Sequence, residues 1–332
     1  MATVLNLSNA SVRIEECGYG KRMISVEPTG SLYVHVRTWE TAYPLDLVEH
    51  VLRVKGPAYL CDEIMRDEDP LYVQHCFLWS ILSYVEENAF AGQRVLDFGS
   101  GSGASSMVLA RMLPSTAEIV GVELGPEHIE LARHRVRFYG VDDRVSFHLS
   151  PDPNSLPRGI GQFDSIILSG VYEHLLPNER RTLLPLLWSH LRAGGVIFLD
   201  QTPYRWFPIE MHTTGLALIN YLPDRLTLAC ARRFSKRVTP DASWPELLRR
   251  GIRGGTIREI MGILNRDDGR KAELLKPSRF GVKDQIDLWY RLSSTTRWPI
   301  AKKLMMWGFR VVKATTGITM IPSLSLALQK VR

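Results

Sequence analysis

From residue 94 the chain repeats one unit, a short apolar run followed by a helical stretch. The runs are RVLDFG at 94–99, EIVGVE at 118–123, RVSFHL at 144–149, DSIIL at 164–168 and VIFLD at 196–200. Between them, 104–113, 126–138 and 178–191 read as helices. The last starts at Pro177-Asn178 and closes at Gly194-Gly195, and its interior Pro185 predicts a kink. Uninterrupted apolar runs fit strands buried on both faces, which a parallel sheet with helical crossovers provides. Five such units in about 110 residues predict an α/β fold with a doubly wound, mostly parallel sheet.

The rest of the chain is less regular. Residues 1–90 read as a short irregular or strand-rich start, with SLYVHVRTW alternating, and then as mainly helix, with apolar residues at helical spacing over 71–84. Residues 204–299 read as short helices laid over the sheet. SLSLALQK at 323–330 alternates as a last strand returning to it. The stretch 298–313 reads as an amphipathic helix packed on its own sheet, with a helix lying on a membrane surface as the competing reading.

Composition narrows the class. Hydrophobic residues make up 45% and charged residues 23%, as a packed core requires. The four cysteines, Cys17, Cys61, Cys76 and Cys230, contain no CxxC pair, which disfavours zinc ribbons, redox dithiols and disulfide scaffolds. The N-terminus carries no basic start with an apolar run, and no run of eighteen apolar residues occurs, so a cytoplasmic protein is expected. The net charge is +6, yet residues 291–332 hold eight Lys and Arg and no Asp or Glu, leaving 1–290 at −2. Such a basic end suits an anionic partner, and peripheral membrane contact through it is one expectation.

The sharpest local signal is LDFGSGSG at 96–103, which follows a strand and opens a helix. Glycines there let the backbone approach a ligand closely, and the helix offers free N–H groups. Twenty residues beyond Gly103, at the end of the next strand, Glu123 can accept both hydroxyls of a ribose. This pairing fits an adenosine cofactor. Gly99-x-Gly101-x-x-Ala104 also fits the dinucleotide fingerprint. Asp97, two residues before the first glycine, would repel a pyrophosphate and suits the positive amino group and sulfonium of S-adenosylmethionine.

RVLDFGSGSG, VGVELG, FDSIILSGVYEHL and LRAGGVIFLDQTP, in that order over roughly 92–205, resemble the successive signature segments of class I S-adenosylmethionine-dependent methyltransferases. The resemblance implies a Rossmann-like, seven-stranded sheet with an N-terminal helical extension and a C-terminal helical cap. It implies that Asp97, Gly99, Ser100, Gly101 and Gly103 line the methionine end of the cofactor and that Glu123 and Leu124 meet the ribose. Asp152 and Pro153 would lie by the adenine, and Ser169 would flank the cofactor. Small-molecule O-methyltransferases of the ubiquinone-biosynthesis type, with related envelope-sugar and natural-product enzymes, are the most similar subgroup. The acceptor is then a small or glycolipid-like molecule, and nucleic acid is not expected as a partner.

Four regions follow: an N-terminal extension over 1–90 that could act as a lid; a cofactor-binding core over 91–203; a cap over 204–299 contributing to the acceptor site; and a basic helix and final strand over 300–332. Methyl transfer to a hydroxyl needs alignment and a base. Tyr172, Glu173 and His174 follow the fourth strand; Tyr204, Arg205, Glu210, His212 and Thr213 follow the fifth. His212 and His174 are the candidate bases, with Glu210 beside them, because imidazole titrates near neutrality. Glu173, Glu210 and His212 could instead hold a divalent cation acting on a diol, but one Glu-x-His is thin ligand evidence and no metal is expected. Trp206, Phe207, Trp244, Trp289, Trp298 and Trp307 could build an aromatic cap or belong to the core. The other function classes are an RNA methyltransferase, an NAD(P)-dependent oxidoreductase, and a catalytically silent cofactor-binding scaffold at a membrane surface.

Overall fold

The computed structural model describes residues 2–266, 271–293 and 298–331. Of the basic end, Arg297 and Arg332 therefore lie outside the described residues.

The chain opens with a four-stranded antiparallel meander of β1 (Ala2–Asn6), β2 (Ala10–Gly18), β3 (Lys21–Pro28) and β4 (Thr38–Thr41). Val12 and Ile14 on β2 and Ile24 and Val26 on β3 are buried alternately, as one covered sheet face demands. Two helices, α1 (Leu45–Lys55) and α2 (Leu60–Glu68), join Leu47, Val51 and Ile64 to that core. The expected strand over 31–39 is corrected: only its last two residues join β4, and Tyr33 is exposed. Of the expected 71–84 helix, a π-helical turn over Pro70–Gln74 leads into α3 (His75–Ser80), and the helix ends there.

The second sheet has seven strands. In chain order they are β5 (Arg94–Phe98), β6 (Glu118–Glu123), β7 (Val145–Leu149), β8 (Phe163–Ser169), β9 (Leu191–Pro203), β10 (Ala272–Leu274) and β11 (Ser323–Lys330). Their spatial order is β10-β11-β9-β8-β5-β6-β7. β5 to β9 are parallel, and β11 returns antiparallel to β9. Val95, Leu96, Ile119, Val120, Ile166 and Ile167 are wholly buried, so both faces of the sheet are covered. Helices α4 (Ala104–Met112), α5 (Pro126–Phe138) and α6 (Pro177–His190) supply the cover. The last runs continuously from Pro177 to His190 with Pro185 in its interior. The remaining helices are α7 (Asp224–Phe234), α8 (Trp244–Arg249), α9 (Ile257–Leu264), α10 (Gln285–Leu292) and α11 (Pro299–Thr316). No helix among the described residues is long and apolar enough to cross a membrane.

Helix α11 is oriented against its charge pattern. Lys302 is buried over the Tyr290 ring, 4.4 Å from its centroid, and Lys313 Nζ donates to Asp284 Oδ2 at 2.6 Å. Arg310 pairs with Asp287, and Lys330 on β11 is buried against the carbonyls of Trp188 and Leu191. The face turned outward is a row spaced as one helical stripe, Ile300, Leu304, Trp307 and Val311, all exposed.

At the carboxyl end of β9, Asp200 is wholly buried. Ser325 Oγ donates to its Oδ1 at 2.6 Å, and Oδ2 has no partner. Burial pushes this carboxyl up to about 6, the Ser325 hydroxyl opposing. A raised acid stabilises the fold below its ordinary value of 3.8, and that contribution is lost as pH rises to about 6. Asp200→Asn is therefore expected to stabilise the protein by about 1–2 kcal/mol above pH 6 and by nothing near pH 4. Thermal melts across that window decide it, and a pH-independent difference counts against the assignment.

Candidate active site

The turn between β5 and α4 is shaped by glycine at two positions where no other residue fits. Gly99 has φ +74°, and a Cβ there would meet Val171 Cγ2 at 2.7 Å. Gly103 has φ +82°, precedes the first turn of α4, and a Cβ there would lie 2.7 Å from Ala132 Cβ. The turn is tied to the neighbouring strand end. The Gly101 N–H donates to Glu123 Oε2 at 2.9 Å, while the Leu124 and Gly125 N–H groups donate to Oε1 at 2.7 and 3.2 Å. Oε2 keeps a further lone pair for a ligand hydroxyl, whereas Oε1 already accepts two N–H groups and would take a second hydroxyl in place of the longer Gly125 bond.

A cavity of about 270 Å³ lies over the carboxyl ends of β5, β6 and β8. Of the candidate cofactor residues, Gly99, Glu123, Leu124, Asp152 and Pro153 line it. The other expected cofactor residues are not part of this lining. Asp97 is buried and its Oδ2 accepts from Ser105 Oγ at 2.7 Å and Ser106 Oγ at 2.6 Å. Burial raises its pKa, with the two hydroxyls opposing. Its carboxylate thus braces the first turn of α4. Ser100 is buried with its Oγ unpartnered, and Gly101, Gly103 and Ser169 do not face the cavity. Asp152 folds back on its own turn, accepting from Asn154 N–H at 2.8 Å and Ser155 Oγ at 2.6 Å. Val171, Leu175 and Arg249 also line the cavity. Sequence reasoning missed them, for nothing in their spacing distinguishes them from core or surface.

A second cavity, about 240 Å³, adjoins the end of β9 and is lined by Gln201, Tyr204, Arg205, Glu210, His212 and Arg253, among others. Burial, followed by the neighbouring Arg253, pulls the Arg205 guanidinium down to about 10. Among the described residues Arg205 hydrogen-bonds the Asn220 carbonyl and lies 4.3 Å over the Trp206 ring, whereas Arg253 Nη2 also pairs with Asp224 Oδ1 at 2.6 Å. Thr213 Oγ1 donates to the Arg250 carbonyl, and Tyr172 is buried in the core. None of the six aromatic residues expected as a cap lines either cavity.

His174 lines the first cavity and His212 the second, and their rings are 5.5 Å apart. The two are 38 positions apart in sequence, and their meeting depends on Gly251. With φ +89° and no side chain it clears the space a Cβ would take, 2.7 Å from His212 Cδ2. Glu210 does not join them. Its carboxylate accepts the N–H groups of His212 and Thr213, each at 2.9 Å, and that of Thr214, so it organises the loop that carries His212. Glu173 does join them: it is buried, with Oε1 3.8 Å from His174 Nε2 and Oε2 unpartnered. Burial pushes its carboxyl up to about 8, and burial followed by His174 lowers His212.

With this geometry the comparisons with known proteins are direct. Residues 95–195 match the family described as "Methyltransferase domain". Catechol O-methyltransferase B of Danio rerio is 29% identical over 130 residues, 38% of this chain and 46% of that protein. The O-methyltransferase hkm8 of Aspergillus hancockii is 31% identical over 117 residues, covering 35% of this chain and 45% of its own length. The matched stretch thus spans less than half of either relative. Among solved structures, the amino pentose methyltransferase CalS10 of Micromonospora echinaspora is 27% identical, with 42% of this chain and 52% of that chain covered and a TM-score of 0.32. The segment that builds the glycine turn and its parallel strands, residues 95–195, thus matches a methyltransferase domain, and its relatives support the class I S-adenosylmethionine-dependent type.

Proposed function

We propose that this protein transfers the methyl group of S-adenosylmethionine to an oxygen of a small or glycolipid-like molecule. One observation carries the reading: His174, lining the cavity edged by Gly99 and Glu123, and His212, lining the cavity edged by Arg205 and Gln201, have their rings 5.5 Å apart. Adenosine on the first cavity's floor, with its ribose on Glu123, would send the methionine end toward that pair. Methyl transfer is an in-line displacement, so acceptor oxygen, methyl carbon and sulfur must be aligned with water excluded. The acceptor hydroxyl gives up its proton at the cluster of Glu173, His174 and His212, where the expected general-base role of a histidine belongs. Arg205, without a carboxylate partner among the described residues, suits an acceptor that carries an anionic group near the methylated oxygen. The exposed row on α11 suits an acceptor delivered from a lipid surface.

Calorimetry with S-adenosylhomocysteine tests the cofactor half directly. One equivalent is expected to bind and NADH is expected not to; the reverse pattern would return the glycine turn to the oxidoreductase reading.

A further inference from the structure

We infer that Glu173, His174 and His212 form a binding site for a divalent first-row transition-metal ion of the zinc type, between the two cavities. Each side chain offers one donor atom, and the three donors lie within 4.8 Å of one another. Metal–ligand bonds of about 2.0–2.2 Å in a tetrahedral set place donors about 3.4 Å apart, so side-chain rotation of about 1 Å closes the triangle. Two imidazoles and one carboxylate suit zinc and its neighbours, whereas magnesium and calcium seek oxygen ligands.

The surroundings are built for ligation. His174 Nδ1 lies 2.7 Å from the Arg249 carbonyl oxygen. A carbonyl only accepts, so Nδ1 carries the hydrogen and Nε2 presents its lone pair toward Glu173. That carbonyl is itself fixed, because the Arg249 side chain grips Glu179, with Nη1 donating to Oε2 at 2.6 Å. This is the outer support that orients a ligating histidine. Between His174 Nε2 and Glu173 Oε1 the gap is 3.8 Å, too long for a hydrogen bond and suited to a bridging atom. The buried Glu173 Oε2 has no partner, a cost that a bound cation removes. Gly251 leaves room for the groups to converge, since a Cβ there would lie 3.2 Å from Glu173 Cγ and 3.0 Å from His212 Nε2. The sequence alternative pairing Glu210 with His212 does not hold, because Glu210 is committed to backbone N–H groups.

The use of this ion rests on the methyl-transfer reading, though its binding does not. With the acceptor hydroxyl as a fourth ligand, the hydroxyl's proton passes to water. Its oxygen then bonds the methyl carbon, the carbon–sulfur bond breaks, and the electron pair returns to sulfur as a thioether. In that form the two imidazoles serve as ligands, and the ion acidifies the hydroxyl in their place.

The test is a calorimetric titration of chelator-treated full-length protein with zinc chloride, without cofactor. One equivalent is expected to bind, and Glu173→Gln and His212→Ala should each weaken it about 100-fold or more. His134→Ala is the control. His134 Nδ1 lies 3.2 Å from His50 Nδ1, and removing this separate histidine pair should leave zinc affinity unchanged. S-adenosylhomocysteine binding by the variants verifies that each is folded. Absence of stoichiometric zinc binding in the unaltered protein overturns the site, and so does binding that survives His212→Ala or is lost with His134→Ala. Because the titration contains no cofactor, a failed zinc site leaves the methyl-transfer reading standing. Failure to bind S-adenosylhomocysteine would remove that reading without touching the zinc result.

Discussion

Arg135→Ala should be among the most destabilising single substitutions in this chain, costing about 3–5 kcal/mol, because it takes the nearest cation from buried Glu63, leaving Lys55 at 4.0 Å, and one of two from buried Asp67, leaving Arg111 at 3.5 Å. Arg135, on α5, is wholly buried, with Nη2 3.1 Å from Glu63 Oε1 and Nη1 3.9 Å from Asp67 Oδ1. Tyr43 Oη donates to the same Asp67 at 2.8 and 2.9 Å. This network fastens α2 to the parallel-sheet core, and Ser102 of the glycine turn donates to Glu63 within it. Burial opposes the Glu63 charge, yet Arg135 and then Lys55 hold its carboxyl below its ordinary value of 4.5. A depressed acid contributes stability that is present above its ordinary value and lost as pH falls through the depressed one. Urea denaturation should therefore give the full Arg135→Ala deficit at neutral pH and a smaller deficit in acid. Arg135→Met combined with Glu63→Gln and Asp67→Asn should recover much of it, since the cations then left over, Lys55 and Arg111, reach solvent. If the single substitution costs under about 1 kcal/mol, the cluster does not hold the two units together.

The parallel sheet was legible because its strands are covered on both faces, so burial writes itself as unbroken apolar runs such as Val95-Leu96 and Ile166-Ile167. β11 was legible by alternation, with Leu324, Leu326 and Leu328 buried. The N-terminal meander carried the same kind of signal in Val12 and Ile14 against Ile24 and Val26. Those strands pair with one another, and a strand's partner is not written in its own residues. SLYVHVRTW alternated more visibly and yet contributes only Thr38 and Trp39 to a strand.

The basic end is less free than its composition suggests, for a related reason. Counting charge by segment cannot see that Asp284 and Asp287, just outside 291–332, neutralise Lys313 and Arg310. Nor can it see that Lys302 and Lys330 turn inward. At the site, the glycine turn and Glu123 are local in sequence and could be read. The meeting of His174 with His212 depends on Gly251, whose role exists only once three loops have converged. Residue type alone nominated Glu210, but a short acidic side chain near loop N–H groups satisfies them first.

Glu123→Ala is expected to weaken S-adenosylhomocysteine binding about 100-fold or more, through two losses that add. The first is direct: a carboxylate that accepts two ribose hydroxyls makes charge-assisted bonds worth about 1.5–3 kcal/mol each. The second is preorganisation. Gly101 N–H loses its acceptor at 2.9 Å, and the Leu124 and Gly125 N–H groups lose theirs, so the turn must be ordered by the ligand. Glu123→Gln separates the two. Its amide keeps one acceptor oxygen for the loop while forfeiting the charge, so it should fall between wild type and alanine. Calorimetry on all three proteins, with thermal melts to confirm that each is folded, reads the series. Affinity in Glu123→Ala within threefold of wild type would mean that the ribose lies elsewhere. The pocket over Gly99 would then need a different occupant, since no other acidic side chain at that strand end is free to take both hydroxyls: Asp97 is committed to Ser105 and Ser106, and Asp152 to its own turn.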